Sequence, residues 1–467
     1  MSVIAYNPDR YEFELTMPLL IIGAGACGLV AALAAREQGI ELAILERDSM
    51  PRGSTFMSSG FVPAANTRFQ READVIDDAD LMDSDIQDKN HHESDPLVVR
   101  ALADNSGPVI EWLADKHHIP FELVQGFLYP GHSRMRMHCT PRRTGEELMG
   151  SLLNAAEAAG VDIVTQATVT DLYVDDNQRI RGIAYKQPDG SVERLGCDVL
   201  LLACNGYGGN RDLVKEYLPA MTGALYYGHE GNQGEAILWG EKLGASLKDL
   251  SAYQGHGSLA DPPQTLVSWA VMMQGGIQVN QNGQRFSNEH GGYSEQAAKV
   301  LAQPNGYVWN LFDERIHKHL LDFEDYQNAL ETKSVKQFDS IEAMADGLKL
   351  SAEHLQATFD EMHLLSTQGG TDTFGRSFEA DLLIKPPYYA IRVTGALFHT
   401  QGGLEITPEG RVLKQDGSVF PNLLAAGGAA RGVSGSNDSG YLSGNGLLHA
   451  VVMGAIAGRT VKTLTTS

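Results

Sequence analysis

The sequence is poor in the groups that build metal and redox centres. It has four cysteines, Cys27, Cys139, Cys197 and Cys204, and none stands in a CxxC spacing. That excludes a zinc ribbon, a cysteine-ligated iron–sulfur cluster and a CxxCH haem site, and no metal site is expected. Positive charge is also scarce, with 36 Lys and Arg against 59 Asp and Glu and a net charge of −23. Such a chain is repelled by nucleic acid and by anionic membrane surfaces. An anionic small molecule stays open, because a local Arg or His cluster can override the global field. Long apolar runs are missing too. The most apolar window, Leu19 to Ala35, is broken by three glycines, so no transmembrane span is expected. The opening MSVIAYNPDRYEFELTMP has no basic stretch followed by an apolar one, so no signal peptide is expected. The default expectation is a cytoplasmic enzyme with reduced thiols.

Glycine, in contrast, is abundant at 50 residues, often beside apolar runs. The stretch Leu19 to Glu46 organises the rest. Its apolar start reads as a buried parallel strand. Gly23-x-Gly25-x-x-Gly28 follows, then an apolar helix, then a second strand, Glu41 to Leu45, ending at Glu46. The glycines serve a tight turn, close approach to a pyrophosphate, and close helix–strand packing. The helix N-terminus offers N–H groups to phosphate, and Glu46 can accept from a ribose hydroxyl. Dinucleotide binding follows. A hydroxyl-rich loop (Ser54, Thr55, Ser58, Ser59, Gly60) comes next and reads equally as a cofactor loop or as plain surface.

Residues 70–96 are strongly acidic, with Val75, Ile76, Leu81, Met82 and Ile86 at the spacing of a short amphipathic helix. Residues 127–145 then gather Arg134, Arg136, Arg142, Arg143, His132 and His138. These either clamp an anion or pair with the acidic segment. Helices are expected over 96–116 and 146–159, then a strand and a β-meander across 161–204 that ends in Asn205-Gly206-Tyr207-Gly208-Gly209. A meander between parallel strands suits a flavin-type dinucleotide fold. The texture changes near 225 and returns near 380. The expected fold class is α/β: a Rossmann-like FAD-binding domain of glutathione-reductase type in two parts, 1–225 and 381–467, around an α+β capping domain, 226–380. A last helix, Gly446 to Leu464, presents its N-terminus to the electron-rich edge of a reduced flavin.

The fingerprint, the Asn205 turn, Gly283-Gln284-Arg285-Phe286-Ser287-Asn288-Glu289, His399-Thr400-Gln401-Gly402-Gly403 and Ala426-Gly427-Gly428 with Ser443-Gly444-Asn445-Gly446 occur in order. Together they resemble the fumarate reductase/succinate dehydrogenase flavoprotein superfamily, which includes 3-ketosteroid dehydrogenases. The resemblance implies FAD. Expected contacts are Gly23, Gly25, Ala26 and Gly28, then Glu46 and Arg47, then Ser54, Thr55, Ser59 and Gly60. Val169, Cys204, Asn205 and Gly206 follow, with Gly427, Gly428, Gly446 and Leu447 near the end. Covalently attached relatives use a His in the loop where this chain has Ser54-Thr55, so non-covalent FAD is expected.

Departures from the resemblance carry as much information. Soluble fumarate reductases have an Arg four residues after the Glu of the RFxNE motif, where this chain has Tyr293. Trp269 and Met272 hold the positions of a Glu-x-x-Arg proton relay, and Tyr441 that of a carboxylate-clamping Arg. The replacements are similar to those of ketosteroid dehydrogenases and 4-oxocyclohexanecarboxylate dehydrogenase-like enzymes. The resemblance then implies a ketone α,β-dehydrogenase, with a cyclic oxo acid as one substrate type. Tyr293 is the base, while Tyr441 and the Asn445 backbone N–H polarise the carbonyl. His256, His399, Tyr129 and Gly444 are expected to contact substrate. A free tyrosine titrates near ~10, so Tyr293 needs a cation, hydrogen bonds or a relay, from Tyr129 or from the arginines at 134–143. Packed interface aromatics and backbone-bonded core histidines are the plain alternatives for these side chains. Electrons leave to an external acceptor: oxygen, a quinone or a redox partner. A fumarate-type ene-reductase acting on an unsaturated acid, and a non-catalytic flavin carrier, are the competing readings.

Overall fold

In the computed structural model, which describes residues 1–126 and 128–465, the apolar start of the fingerprint forms the strand Thr16–Ile22. It lies between Leu42–Leu45 and Val192–Leu202, parallel to both. Leu42–Leu45 is buried at every residue, as expected of a strand covered on both faces. The nine-stranded sheet runs Ser2–Ala5, Thr168–Val174, Ile180–Lys186, Val192–Leu202, Thr16–Ile22, Leu42–Leu45, Asp162–Val164, with Val419–Ala425 branching from Val192–Leu202 and Arg411–Leu413 on Val419–Ala425. Val192–Leu202 joins its two halves. Its first residues pair antiparallel with Ile180–Lys186, completing the meander, and its last pair in parallel with Val419–Ala425. The register aligns Ile22 with Leu45 and Leu202, and Leu202 with Ala425. The strand ends therefore open at one edge, where doubly wound sheets bind ligands.

The helix Ala26–Glu37 is buried from Ala26 to Ala35 and packs on the C-terminal helix. That last element runs as Asn445–Leu448, a π-helical turn His449–Met453 and Gly454–Thr465. A second window besides Leu19–Ala35 is thus strongly apolar. Asn445–Thr465 reaches a mean hydropathy of 1.2, long and apolar enough to cross a bilayer, but 61% of that window is buried inside the fold, as in a core helix.

A seven-stranded sheet builds the second lobe in the order Thr265–Leu266, Tyr253–Ala260, Tyr388–Thr400, Tyr307–Asp313, Ile277–Val279, with Leu225–Tyr226 and Val335–Phe338 also on Tyr388–Thr400. The 13-residue strand Tyr388–Thr400 is its centre. The chain therefore stays in this sheet past the boundary expected at 380/381.

The acidic segment forms the helix Ala79–Lys89, with Met82 and Ile86 buried beneath it. Its carboxylates meet the arginine-rich stretch. Arg136 is fully buried, donates through Nε and Nη2 to Asp77 at 2.7 and 2.8 Å, and also pairs with Asp85. Arg142 reaches Glu324 at 3.2 Å, and Arg143 stacks on Phe323. Within this stretch Arg136 pairs with the acidic segment, while Arg142 pairs outside it.

Candidate active site

The fingerprint glycines do three separate jobs. Gly23 has φ +105°, and a Cβ there would sit 2.5 Å from the Ala203 carbonyl oxygen. A Cβ on Gly28 would stand 2.0 Å from the Gly23 oxygen, so only hydrogen lets the helix meet the strand. Gly25 differs: a Cβ would find only Thr55 Oγ1 at 3.8 Å and would otherwise project into the cavity. A cradle kept open beside a helix N-terminus fits the pyrophosphate of FAD. Glu46 is fixed at the same mouth, where Oε2 accepts the Ala24 amide at 2.8 Å and Oε1 the Asp48 amide at 3.0 Å. Its remaining lone pairs can take a ribose hydroxyl. Arg47 is ion-paired with the buried Glu235. Ser54 Oγ accepts the His229 amide at 3.1 Å and the Asn232 side chain at 2.8 Å, and the Asn205 side chain at 3.3 Å, which ties this loop to the Asn205 turn.

One cavity runs from Gly23 to Tyr441. Its wall includes Gly25, Ala26, Glu46, Arg47, Ser54, Thr55, Ser59, Gly60, Val169, Cys204, Asn205, Gly427, Gly428, Gly446 and Leu447. Two expected contacts lie behind it. Gly28 supports the helix–strand contact, and a Cβ on Gly206 would collide with Thr400 Oγ1 at 1.9 Å.

The far end of the same cavity holds Tyr129, His256, Tyr293, His399, Tyr441 and Gly444. Tyr293 opens the helix Tyr293–Leu301 from the second lobe, while Tyr441 comes from the loop before the last helix. Their ring centroids are 6.0 Å apart at 61°. Burial pushes the Tyr293 phenol well above its ordinary value, and Tyr441 adds to this, against a hydrogen bond with Ser443. Burial also raises Tyr441, to about 12, opposed by contacts from Gly446, Tyr293 and Gly444. Both phenols are protonated at neutral pH, and neither shift has a cation among its causes. Of the arginines at 134–143, Arg136 is paired with Asp77 and Asp85 and Arg142 with Glu324.

The backbone of Asn445 is engaged in a turn. Its N–H donates to the Leu442 carbonyl at 3.0 Å, and Asn445 lies outside the cavity wall. The Gly446 amide, in the cavity wall, donates to Tyr441 Oη at 3.4 Å.

His256 is clamped between Tyr293 and Phe398, with ring centroids at 4.8 and 5.1 Å. Its Nδ1 accepts the Ser258 amide at 3.1 Å, so its hydrogen sits on Nε2. Gln401 Nε2 donates to His399 Nδ1 at 2.8 Å, with the same effect. Burial lowers His256 to about 3 and His399 to about 4, so both act as neutral donors. Among the described residues lining the cavity, Arg47 is the one lysine or arginine, and it lies at the fingerprint end.

The RFSNE stretch supports rather than lines the site. Glu289 accepts from Arg285 Nε at 2.9 Å, from Arg376 at 2.8 Å and from the Gln278 amide at 3.0 Å. Burial opposes its ionisation, but Arg376 and Arg285 outweigh this and hold the carboxyl at about 2. The network fixes the start of the helix that carries Tyr293.

Sequence reasoning missed Phe398, Ser443, Asn232 and Glu235 as parts of this site. Phe398 is brought in by sheet pairing. Gln254 sits opposite His399, with β-bulges after Gln254 and His256 that re-aim the strand. No local motif announces such a register.

The FAD binding domain family model (FAD_binding_2) matches residues 19–447. A probable fumarate reductase, Ifc3, of Shewanella frigidimarina is 26% identical over 460 residues, 98% of this chain and 76% of the relative. The open conformation of a flavocytochrome c3 fumarate reductase superposes with a TM-score of 0.81 at 24% identity, covering 99% of this chain and 82% of that one. A 3-ketosteroid-Δ4-(5α)-dehydrogenase from Rhodococcus jostii superposes with a TM-score of 0.77 at 22% identity, covering 98% and 99%. The chain belongs to the FAD binding domain family and is an FAD-dependent oxidoreductase, similar in sequence to fumarate reductases.

Proposed function

We propose that this chain is a ketone α,β-dehydrogenase with non-covalently bound FAD. The observation that carries the reading is the Tyr293–Tyr441 pair, buried in a stretch of wall with no lysine or arginine among its described residues. A dicarboxylate would meet no counter-ion there, and burying an unpaired carboxylate is costly. A ketone meets what it needs. Tyr441 Oη, which accepts the Gly446 N–H, donates its own hydrogen to the carbonyl oxygen and so acidifies the α-proton. Tyr293 takes that proton as its own moves on. FAD, when bound, supplies the hydride acceptor. His256 and His399 donate as neutral groups, which suits a second uncharged acceptor on the substrate better than the carboxylate of an oxo acid. Electrons then pass to an external acceptor.

The protonated resting state of Tyr293 also favours a second reading, in which the phenol serves as the acid of a fumarate-type ene-reductase. The two separate in steady-state assays. A dehydrogenase turns over saturated cyclic ketones with an artificial acceptor. Turnover confined to fumarate or urocanate with reduced viologen would establish the second reading instead. An anaerobic screen for flavin bleaching by candidate ketones identifies the substrate.

A further inference from the structure

The acidic stretch 70–96 contains two cationic side chains, Arg71 and Lys89. Arg71 pairs with Glu111 near the surface. Lys89 ends the helix Ala79–Lys89 one turn after Asp85, but Asp85 is already taken by Arg136. The Lys89 ammonium instead reaches a segment 202 residues further along the chain, where it donates to the Gly291 carbonyl at 3.2 Å and is ion-paired with Glu295. Both side chains of this pair are 14% exposed, whereas those of the Arg142–Glu324 pair are 52% and 42% exposed. Water screens an exposed pair almost completely, and a sheltered one keeps its strength and its geometry.

Gly291 and Glu295 flank Tyr293. Gly292 between them has φ +139°, and a Cβ there would stand 2.3 Å from Glu295 Oε2, so the turn into the helix closes directly over that carboxylate. Burial raises the Glu295 carboxyl and Asp438 adds to this, while Lys89 is the cation that opposes them. The helix start is fastened to its own lobe by Ser294, whose Oγ accepts the Gly255 amide at 2.9 Å and donates to the Tyr253 carbonyl at 3.2 Å. Lys89 comes from the other lobe: Met82 and Ile86 of its helix share the core of the fingerprint strand. Its stem runs past Gly131, where a Cβ would stand 3.4 Å from Lys89 Cδ and 2.6 Å from Leu442 Cδ1. Gly131 is thus packed between the Lys89 stem and the residue that follows Tyr441.

We propose that Lys89 is a positioning residue: through Gly291 and Glu295 it ties the start of the Tyr293 helix to the FAD lobe and so holds Tyr293 opposite Tyr441. The role rests on Tyr293 acting in the reaction, as it does in both readings of the function. The two phenols come from different lobes, so their separation is set by whatever joins the lobes beside them. Lys89 does this within two residues of Tyr293 on either side. Proton transfer needs hydrogen-bond reach, so a small drift of one phenol costs rate far more than it costs binding.

The test compares holoenzyme variants in two assays, cyclohexanone with an artificial acceptor and fumarate with reduced viologen. Lys89→Met keeps the stem and removes the cation. In whichever assay the wild type turns over, K89M is expected to lower kcat about 10–100-fold, with KM and FAD content little changed. Lys89→Arg restores a cation of similar reach and should recover most of the rate. The double variant K89M/E295Q should be no slower than K89M, because the carboxylate has already lost its partner. Hydrogen–deuterium exchange should rise in the peptide spanning 288–296 of K89M and stay unchanged in the fingerprint peptide. If K89M fails to fold, Glu295→Gln takes its place with the same expected directions. Wild-type kcat in the variant, or unchanged exchange over 288–296, would overturn the tie and leave the functional reading standing. A wild type inert in both assays would overturn the reading and the positioning role together.

Discussion

The two ends of the main cavity are built by different means. The fingerprint end is built mainly of backbone, glycines and a helix N-terminus, with the Glu46 carboxylate held by two amides and the Arg47–Glu235 pair beside it. The far end is made of neutral side chains brought from the 129 loop, the strands ending near His256 and His399, the Tyr293 helix and the loop before the last helix. Backbone sites recognise what all dinucleotides share, and side-chain sites decide the reaction. A protein can keep the first and change its chemistry by altering a few positions in the second.

Substitutions at each end should therefore fail in different ways. The largest expected effect is at Tyr293. Y293F should lower the rate of flavin bleaching by a ketone by about 10²–10⁴-fold while leaving bound FAD unchanged. Bleaching at wild-type speed would remove Tyr293 from the chemistry and erase the contrast between the ends. Gly25→Val should do the opposite, since its side chain fills the open cradle. The protein should fold with its normal circular dichroism and purify without flavin. Retention of a full complement of FAD would show that the cradle is not the pyrophosphate site.

Glu289→Gln tests the scaffold behind the tyrosine end. Removing one partner of a buried ion network costs about 3–5 kcal/mol, read from urea denaturation. The pH dependence has a definite sign. The folded carboxyl is held at about 2, below the ~4.3 of an unfolded chain, so its contribution is complete above that unfolded value. It is lost as pH falls from about 5 towards 2, and E289Q should flatten that part of the stability profile. A smaller effect is expected at Tyr441. Y441F leaves the Gly446 amide in place, so kcat/KM for a ketone should fall about 10–100-fold, with little change in stability. An unaltered kcat/KM would move carbonyl polarisation elsewhere.

The sequence revealed the two ends unequally, for the same physical reason. The strand–glycine–helix–strand–acid order of residues 19–46 is local, and the structure places Gly23, Gly25 and Glu46 around one mouth. Tyr293 and Tyr441 were legible only because each stands at a fixed spacing from a recognisable motif. Phe398 and Ser443 lie beside or within such motifs, but spacing does not show that they face the cavity. Their places depend on sheet register and on a loop pinned from another segment, through the His132 contact to Ser443. Asn445 shows the limit of spacing arguments: its amide is spent on a turn with Leu442, and the next amide, of Gly446, lies against Tyr441 Oη. The arginine-rich stretch shows another limit. Composition marked it as cationic, but only the fold reveals that acidic side chains neutralise Arg136 and bury it.

The strand Tyr388–Thr400 begins against Phe338, deep in the second lobe. It ends where Thr400 Oγ1 accepts the Tyr207 amide at 3.2 Å. It is a single girder across both lobes. The capping lobe is therefore not a detachable module. Grafting it onto a related flavoprotein would have to carry the chain through to Thr400, or the recipient would inherit a lid whose last beam, with His399 on it, belongs to another building.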